Sequence, residues 1–187
     1  KSLENSQWVS VSIQIARECV ENGISFVGLG TGLEEDFSIQ SEYVQSKREL
    51  RQLLHKEIEP EKMSWIRPFY VFDIQEKRPR IVEALFKQSA LDPLVIRFGS
   101  SEIDYISSID VASGIMQSIS ANLRGTIDIG SGRLITNRAF VNAVCNNEGI
   151  EIPLILDASS GTPNSANVNS LISLGWSPTH TSRYLSL

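Results

Sequence analysis

Apolar residues at Trp8, Val9, Val11, Ile13, Ile15, Ala16, Cys19 and Val20 recur loosely at helical spacing, and Asn22-Gly23 then supplies a C-terminal stop. The pattern predicts a helix over about residues 6–21. Ile24-Ser25-Phe26-Val27-Gly28-Leu29 is short, apolar and β-rich, and it leads into Gly30-Thr31-Gly32. It reads as a strand running into a loop that also holds Glu34-Glu35-Asp36. A second helix is expected from Ser41, which can cap it. Glu42 complements the first turn, and Tyr43, Val44, Leu50, Leu53 and Leu54 follow at workable spacing to about Ile58. Met63 to Val71 gives a second buried strand. Pro79 opens a helix over about residues 79–90, at the first-turn position where a missing N–H is tolerated.

Shorter pieces continue the alternation: strands near 94–98 and 104–106, a helix at 109–120, a strand at 126–129, a helix at 137–146, a strand at 153–156 and a helix at 167–174. Gly175-Trp176-Ser177-Pro178 closes the last helix. Helix alternating with strand indicates the α/β class, a parallel sheet covered by helices. Residues 1–78 carry this alternation at full length. Residues 79–187 read mainly as a cap, with the segments around 94–107 and 126–130 positioned to return to the sheet. Gly161-Thr162-Pro163-Asn164-Ser165 is the most loop-like stretch, and no internal repeat or low-complexity segment is present.

Composition narrows the functional classes. At 187 residues, 41% hydrophobic and 21% charged, the chain suits one globular domain with a real core. Its net charge of −5 argues against a surface built to grip a phosphate backbone, so nucleic acid is not expected as a partner. Cys19 and Cys145 stand far apart, with no Cys or His at metal-ligand spacing; neither a disulfide framework nor a metal site is expected, and a reducing, cytoplasmic setting fits. The longest apolar runs are strand-sized, so no membrane partner is expected.

Candidate chemistry centres on Tyr43-Val44-Gln45-Ser46-Lys47. Residues four apart share a helical face, which sets a phenol beside an ammonium. A tyrosine is too weak an acid to exchange protons usefully at neutral pH, and a neighbouring positive charge lowers its pKa toward the working range. On spacing alone the same pair also fits an ordinary surface contact. Context comes from Thr31, just beyond the C-terminal end of the first strand, the edge at which open α/β sheets bind ligands.

Phe26-Val27-Gly28-Leu29-Gly30-Thr31, the Tyr43 to Lys47 helix and Trp65-Ile66-Arg67-Pro68-Phe69-Tyr70 resemble the extended short-chain dehydrogenase/reductase family, in its nucleotide-sugar epimerase, dehydratase and ketoreductase branch. Three later segments extend the likeness. They are Ser101 to Ala112, similar to the family's Arg-Asp-aromatic segment; Gly125-Thr126-Ile127-Asp128-Ile129-Gly130-Ser131-Gly132, similar to its strand and turn; and Leu174-Gly175-Trp176-Ser177-Pro178, similar to its C-terminal signature. The resemblance implies a partial Rossmann-like doubly wound sheet plus a small α/β substrate-binding lid. It implies catalytic roles for Thr31, Tyr43 and Lys47. It also implies NAD or NADP held by Tyr43, Lys47, Pro68 and Phe69, and a sugar or nucleotide-sugar substrate contacted by Thr31, Gly32 and Tyr70. Family members commonly pair through the two helices expected here at 6–21 and 41–58, which implies a homodimer. Epimerisation, dehydration and ketone reduction share this machinery and stay open, as does a non-catalytic binding or scaffold protein derived from the same family.

Departures from the family pattern are visible. Ile103 stands where many members have an arginine for the diphosphate, Tyr70 is near the place of a common substrate-binding Asn, Asp73 replaces a glycine, and Asp128 replaces an Asn, a change expected to matter only to local hydrogen bonding. Gly28-x-Gly30-x-Gly32 is not a dinucleotide fingerprint: Leu33 breaks it, acidic residues follow, and no helix is expected to open there. Glu34-Glu35-Asp36 reads as a solvated loop, Trp8, Trp65 and Trp176 as core or cap packing, and His55 and His180 as isolated. A domain of this kind should open with a strand, a Gly-rich turn and further βα units, so about a hundred residues are expected ahead of Lys1.

Overall fold

The computed structural model describes residues 3–75, 81–87, 94–96, 98–151, 154–157, 159 and 161–187. Its elements are α1 (Leu3–Glu21), β1 (Phe26–Leu29), a 3-10 turn (Gly32–Glu35), α2 (Glu42–Glu57), a 3-10 turn (Pro60–Lys62), β2 (Met63–Pro68), β3 (Tyr70–Phe72), α3 (Ile81–Lys87), β4 (Leu94–Ile96), β5 (Glu102–Ile103), β6 (Tyr105–Ser107), α4 (Ser108–Ser120), β7 (Gly125–Ile129), β8 (Ile135–Thr136), α5 (Asn137–Glu148), β9 (Leu154–Leu156), α6 (Asn169–Ile172) and α7 (Thr179–Leu185).

The central sheet is parallel, in the order β1-β2-β7, with Gly28 opposite Trp65 and Arg67 opposite Asp128. Its middle strand is buried from Met63 to Arg67, which is why that run reads as unbroken rather than alternating. Successive side chains of β2 still point to opposite faces. Trp65 packs with Val9, Ile13, Ala16, Leu50 and Leu54 of α1 and α2, whereas Ile66 packs with Ile106, Ile127, Ile129, Leu171 and Trp176 on the other side. Burying Leu50 and Leu54, neither more than 1% exposed, contributes about 2 kcal/mol each. A third cluster around Phe72, Val82, Leu85, Tyr105, Phe140 and Val144 lies among β3, β6, α3 and α5. The parallel pairs β3-β6 and β4-β9 and the antiparallel pair β5-β8 complete the strand pairing.

Several sequence expectations need correction. Strand β1 begins at Phe26, because the Ile24 N–H donates to the Cys19 carbonyl and closes α1 instead. The single strand expected over 63–71 is two. After Pro68 the chain leaves the central sheet: the Phe69 N–H donates to the Ile129 carbonyl, and Tyr70 starts β3 beside β6. The strand expected at 104–106 is present one residue later as β6, and Asp104 separates it from β5 by turning its buried carboxylate onto the Ser131 and Gly132 N–H groups. Helix α6 is limited to Asn169–Ile172, and a further helix, α7, follows Pro178 where none was expected. Of the helix expected over 79–90, Ile81–Lys87 is present as α3; Pro79, Arg80 and residues 88–90 lie outside the described residues, as do Arg97 in the strand expected at 94–98 and Pro153 in that at 153–156. No helix among the described residues is long and apolar enough to cross a membrane.

Candidate active site

The site is built where β1 ends and α2 begins. Thr31 leaves β1 in an extended conformation and caps the turn at Gly32–Glu35: its hydroxyl accepts the Leu33 N–H at 3.4 Å, and Glu34 Oε1 accepts the Thr31 N–H at 2.8 Å. A short helical turn therefore opens where a plain loop was expected. The Arg48 side chain, reaching back from α2, donates to the carbonyls of Leu33, Glu34, Asp36 and Ile39 and fixes the path of the intervening chain. Ser41 caps α2 by accepting the Val44 N–H, and one turn on, Tyr43 and Lys47 share the face turned to β1.

Lys47 is tightly placed. Its Nζ donates to the Leu29 carbonyl at 2.7 Å, lies 3.7 Å from the centre of the Trp8 ring and 5.6 Å from that of Tyr43. Burial lowers its pKa to about 8, against an opposing pull from the Glu34 charge. The Tyr43 side chain is half exposed.

Tyr43 and Lys47 open into a cleft of about 1020 Å³. Thr31, Gly32, Pro68, Phe69 and Tyr70 line it too, so all seven residues singled out in the sequence come to one place. Gly32 lies flat on the Phe69 ring, where a Cβ would approach within 2.7 Å. Asp73, Gln75, Ile81, Val82, Tyr105, Ser108 and Phe140 also line the cleft. There the Tyr105 and Phe140 rings stack at 3.8 Å, and Ser108 Oγ donates to Asp73 Oδ2 at 2.6 Å, holding that carboxyl below its ordinary range. Burial raises the pKa of the Tyr70 phenol above its ordinary value.

Sequence reasoning missed several of these residues. The acidic trio is not a solvated loop: Glu34 is fully buried, accepting from Trp65 Nε1 at 3.1 Å, and Glu35 pairs with Arg51 and Arg67. The Thr31-x-x-Glu34 spacing is a capping-box signature and was the available signal. Trp8 is not simple packing, since its ring faces the Lys47 ammonium. Asp128 does more than adjust a turn: its carboxylate is buried against Arg67 Nε at 2.7 Å. Ile103 packs, partly buried, against the third cluster. Asp73 stood out only as a departure from the family's glycine and Ser108 not at all, because their partnership spans 35 positions. No group of side chains among the described residues could hold a metal ion.

No family model and no curated protein matches the sequence. Solved structures do match in fold. UDP-N-acetylglucosamine 4-epimerase from Bacillus cereus aligns with a TM-score of 0.73 at 18% identity over 92% of this chain and 65% of its own. dTDP-glucose 4,6-dehydratase from Bacillus anthracis, in complex with NAD, gives 0.74 at 16% identity over 92% and 63%. RMD from Pseudomonas aeruginosa, complexed with NADPH, gives 0.67 at 15% identity over 89% and 66%. The chain thus spans less than two thirds of each of these proteins, and over that span it has the Rossmann-like fold of the nucleotide-sugar epimerases and dehydratases.

Proposed function

We propose that this protein is an NAD(P)-dependent epimerase, dehydratase or ketoreductase acting on a nucleotide-activated or related sugar, with Tyr43 exchanging a proton with a substrate hydroxyl or carbonyl oxygen. The observation that carries this reading is the fixed Lys47 ammonium beside Tyr43, in the cleft that also holds Thr31. Tyr43 Oη gives or takes the proton, and the positive charge of Lys47 stabilises the phenolate between the two states. The Thr31 hydroxyl accepts from the Leu33 N–H and uses its own O–H to hold the reacting oxygen.

The residues present suit a nicotinamide riboside. The Lys47 ammonium has three donors and spends one on Leu29, while Pro68 and Phe69 present an apolar floor to the same cleft. When bound, the nicotinamide supplies or accepts a hydride. Gly32 and Tyr70 would contact the sugar on the side facing residues 79–187, which we assign mainly to the substrate lid, whereas residues 1–78 carry the proton-transfer group and the cofactor side. A homodimer through α1 and α2 fits the exposure of Val11 and Ile15, each 52%. A cytoplasmic setting fits the free Cys19 and Cys145.

Titration of NAD(H) and NADP(H) into the full-length protein, with Tyr43→Phe as the control, tests the reading. Cofactor should bind both forms, with turnover of the Phe variant lower by about 10²–10⁴-fold. Failure of the full-length protein to bind either cofactor at millimolar concentration would sink the enzyme reading, and turnover unaffected by Tyr43→Phe would remove the mechanism.

A further inference from the structure

Beneath the turn that carries Thr31 lies a carboxylate that the proton-transfer scheme does not use. Glu34 is 0% exposed, and it is absent from the cleft lining, so it does not touch substrate. Its oxygens nonetheless reach three parts of the site: Oε1 accepts the Thr31 N–H at 2.8 Å, both oxygens lie within reach of the Trp65 indole N–H, and Oε2 is 3.4 Å from Arg51 Nε. A Cβ at Gly30 would run into both the Glu34 carboxylate and the Trp65 ring, so the close approach of backbone to carboxylate requires glycine there. A buried carboxylate needs positive charge nearby to offset its desolvation, and Arg51, only 20% exposed, supplies part of it at an ion-pair distance of 3.4 Å.

We propose that Glu34 is a positioning residue for the proton-transfer group: one carboxylate both fixes the Thr31 backbone and supplies the buried countercharge for the Lys47 ammonium. The groups facing Lys47 are Tyr43 on its own helix, the Trp8 ring from α1, the Leu29 carbonyl at the end of β1 and the Glu34 charge below the turn. Only the last is a full negative charge. The two charges flank one short segment: the Lys47 ammonium donates to the Leu29 carbonyl at 2.7 Å, and the Glu34 carboxylate lies against Gly30 and accepts the Thr31 N–H at 2.8 Å. Desolvation favours the neutral amine, and the Glu34 charge opposes it. Without that opposition Lys47 would lose its proton near neutrality and could no longer lower the pKa of Tyr43. The significance for catalysis rests on the function proposed above; the coupling between the two side chains does not.

Glu34→Gln separates charge from shape, since the amide oxygen can still accept from Thr31 and Trp65. The protein is reductively ¹³C-methylated, and the Lys47 resonance, assigned by its loss in Lys47→Met, is followed by NMR against pH without cofactor or substrate. The midpoint should fall by about one pH unit in Glu34→Gln, and in an active preparation the alkaline limb of the pH–rate profile should fall with it. An unmoved Lys47 midpoint overturns the proposal. If Glu34→Gln alone does not fold, the double variant Glu34→Gln/Lys47→Met should fold, because it no longer strands an uncompensated ammonium; a double variant as unstable as the single one also overturns it. Absence of cofactor binding would sink the proposed function and leave the Lys47 titration as a separate result.

Discussion

Arg67 and Asp128 sit directly opposite each other on neighbouring parallel strands, and the Arg67 Nε donates to Asp128 Oδ1 at 2.7 Å with both residues under a tenth exposed. The pair joins three segments. The guanidinium also contacts Glu35 in the turn beside the cleft, and Asp128 Oδ2 accepts the Asn167 N–H from the chain that returns toward α6. Removing one partner of a buried pair leaves the other uncompensated, at a cost of about 3–5 kcal/mol. Asp128→Ala leaves Arg67 its contact with Glu35, so it should lose stability at the low end of that scale, about 3 kcal/mol, in urea unfolding. Asp128→Asn, which keeps an acceptor for Arg67 and leaves it Glu35, should lose clearly less; equal losses would show that charge, not hydrogen bonding, decides.

The Lys47 ammonium gives folding a defined pH dependence. Its pKa is about 8 in the folded protein and returns to 10.5 on unfolding. Between those values the unfolded chain binds more protons, so stability rises with pH across that window; below about pH 8 both states are protonated and the cost of burial persists. The melting temperature of wild type relative to Lys47→Met should therefore climb between pH 8 and 10. A difference that stays flat over that range would mean that Lys47 is not desolvated.

Thr31 carries two tasks that substitution can divide. Its hydroxyl oxygen accepts the Leu33 N–H, and its O–H is the proposed donor to the reacting oxygen. Thr31→Ser keeps both and should change stability and turnover little. Thr31→Val removes both: the lost cap costs about 1 kcal/mol, and the lost transition-state donor lowers kcat by about 10²–10³-fold. Thermal melts with single-turnover rates on the same preparations would detect each loss, and a Val variant with wild-type kcat would confine Thr31 to capping.

What the sequence made legible was whatever a local pattern decides. The β-rich runs of β1 and β7, the Ser41 cap and the Asn22-Gly23 stop can be read within a few residues of where they act, and so can the shared face of Tyr43 and Lys47. Choices made by distant partners could not be read in this way. Phe69 leaves the central sheet because Ile129 and then β6 are there to receive it, and Asp104 separates β5 from β6 to meet donors at 131, 132 and 166. Glu34 looked exposed because its partners, Trp65 and Arg51, are far along the chain, although the capping-box spacing was local. Helix α7 escaped notice because Thr179 to Arg183 has no apolar period, and the cap that it lacks in its own sequence comes from elsewhere.

That cap is Asp110, and it yields a further prediction. Pro178 offers no side-chain acceptor at the start of α7, so the first-turn N–H groups of His180 and Thr181 donate to Asp110 Oδ1 at 3.2 Å and Oδ2 at 2.5 Å. Oδ2 also accepts from the hydroxyls of Thr181 and of Ser107, the residue that caps α4. One carboxylate, 3% exposed, thus lies at the N-terminal ends of two helices, where negative charge is favoured. The Ser107 N–H completes the joint by donating to Thr181 Oγ1 at 2.8 Å. Asp110→Asn turns an amide group toward donors and should cost about 2 kcal/mol, while Asp110→Ala leaves several buried donors unmet and should cost about 3 kcal/mol or more. The loss should concentrate at the C-terminus. Hydrogen exchange should show α7 losing protection well before the central strand β2, whereas uniform loss across both would place Asp110 in the global core rather than at a local joint.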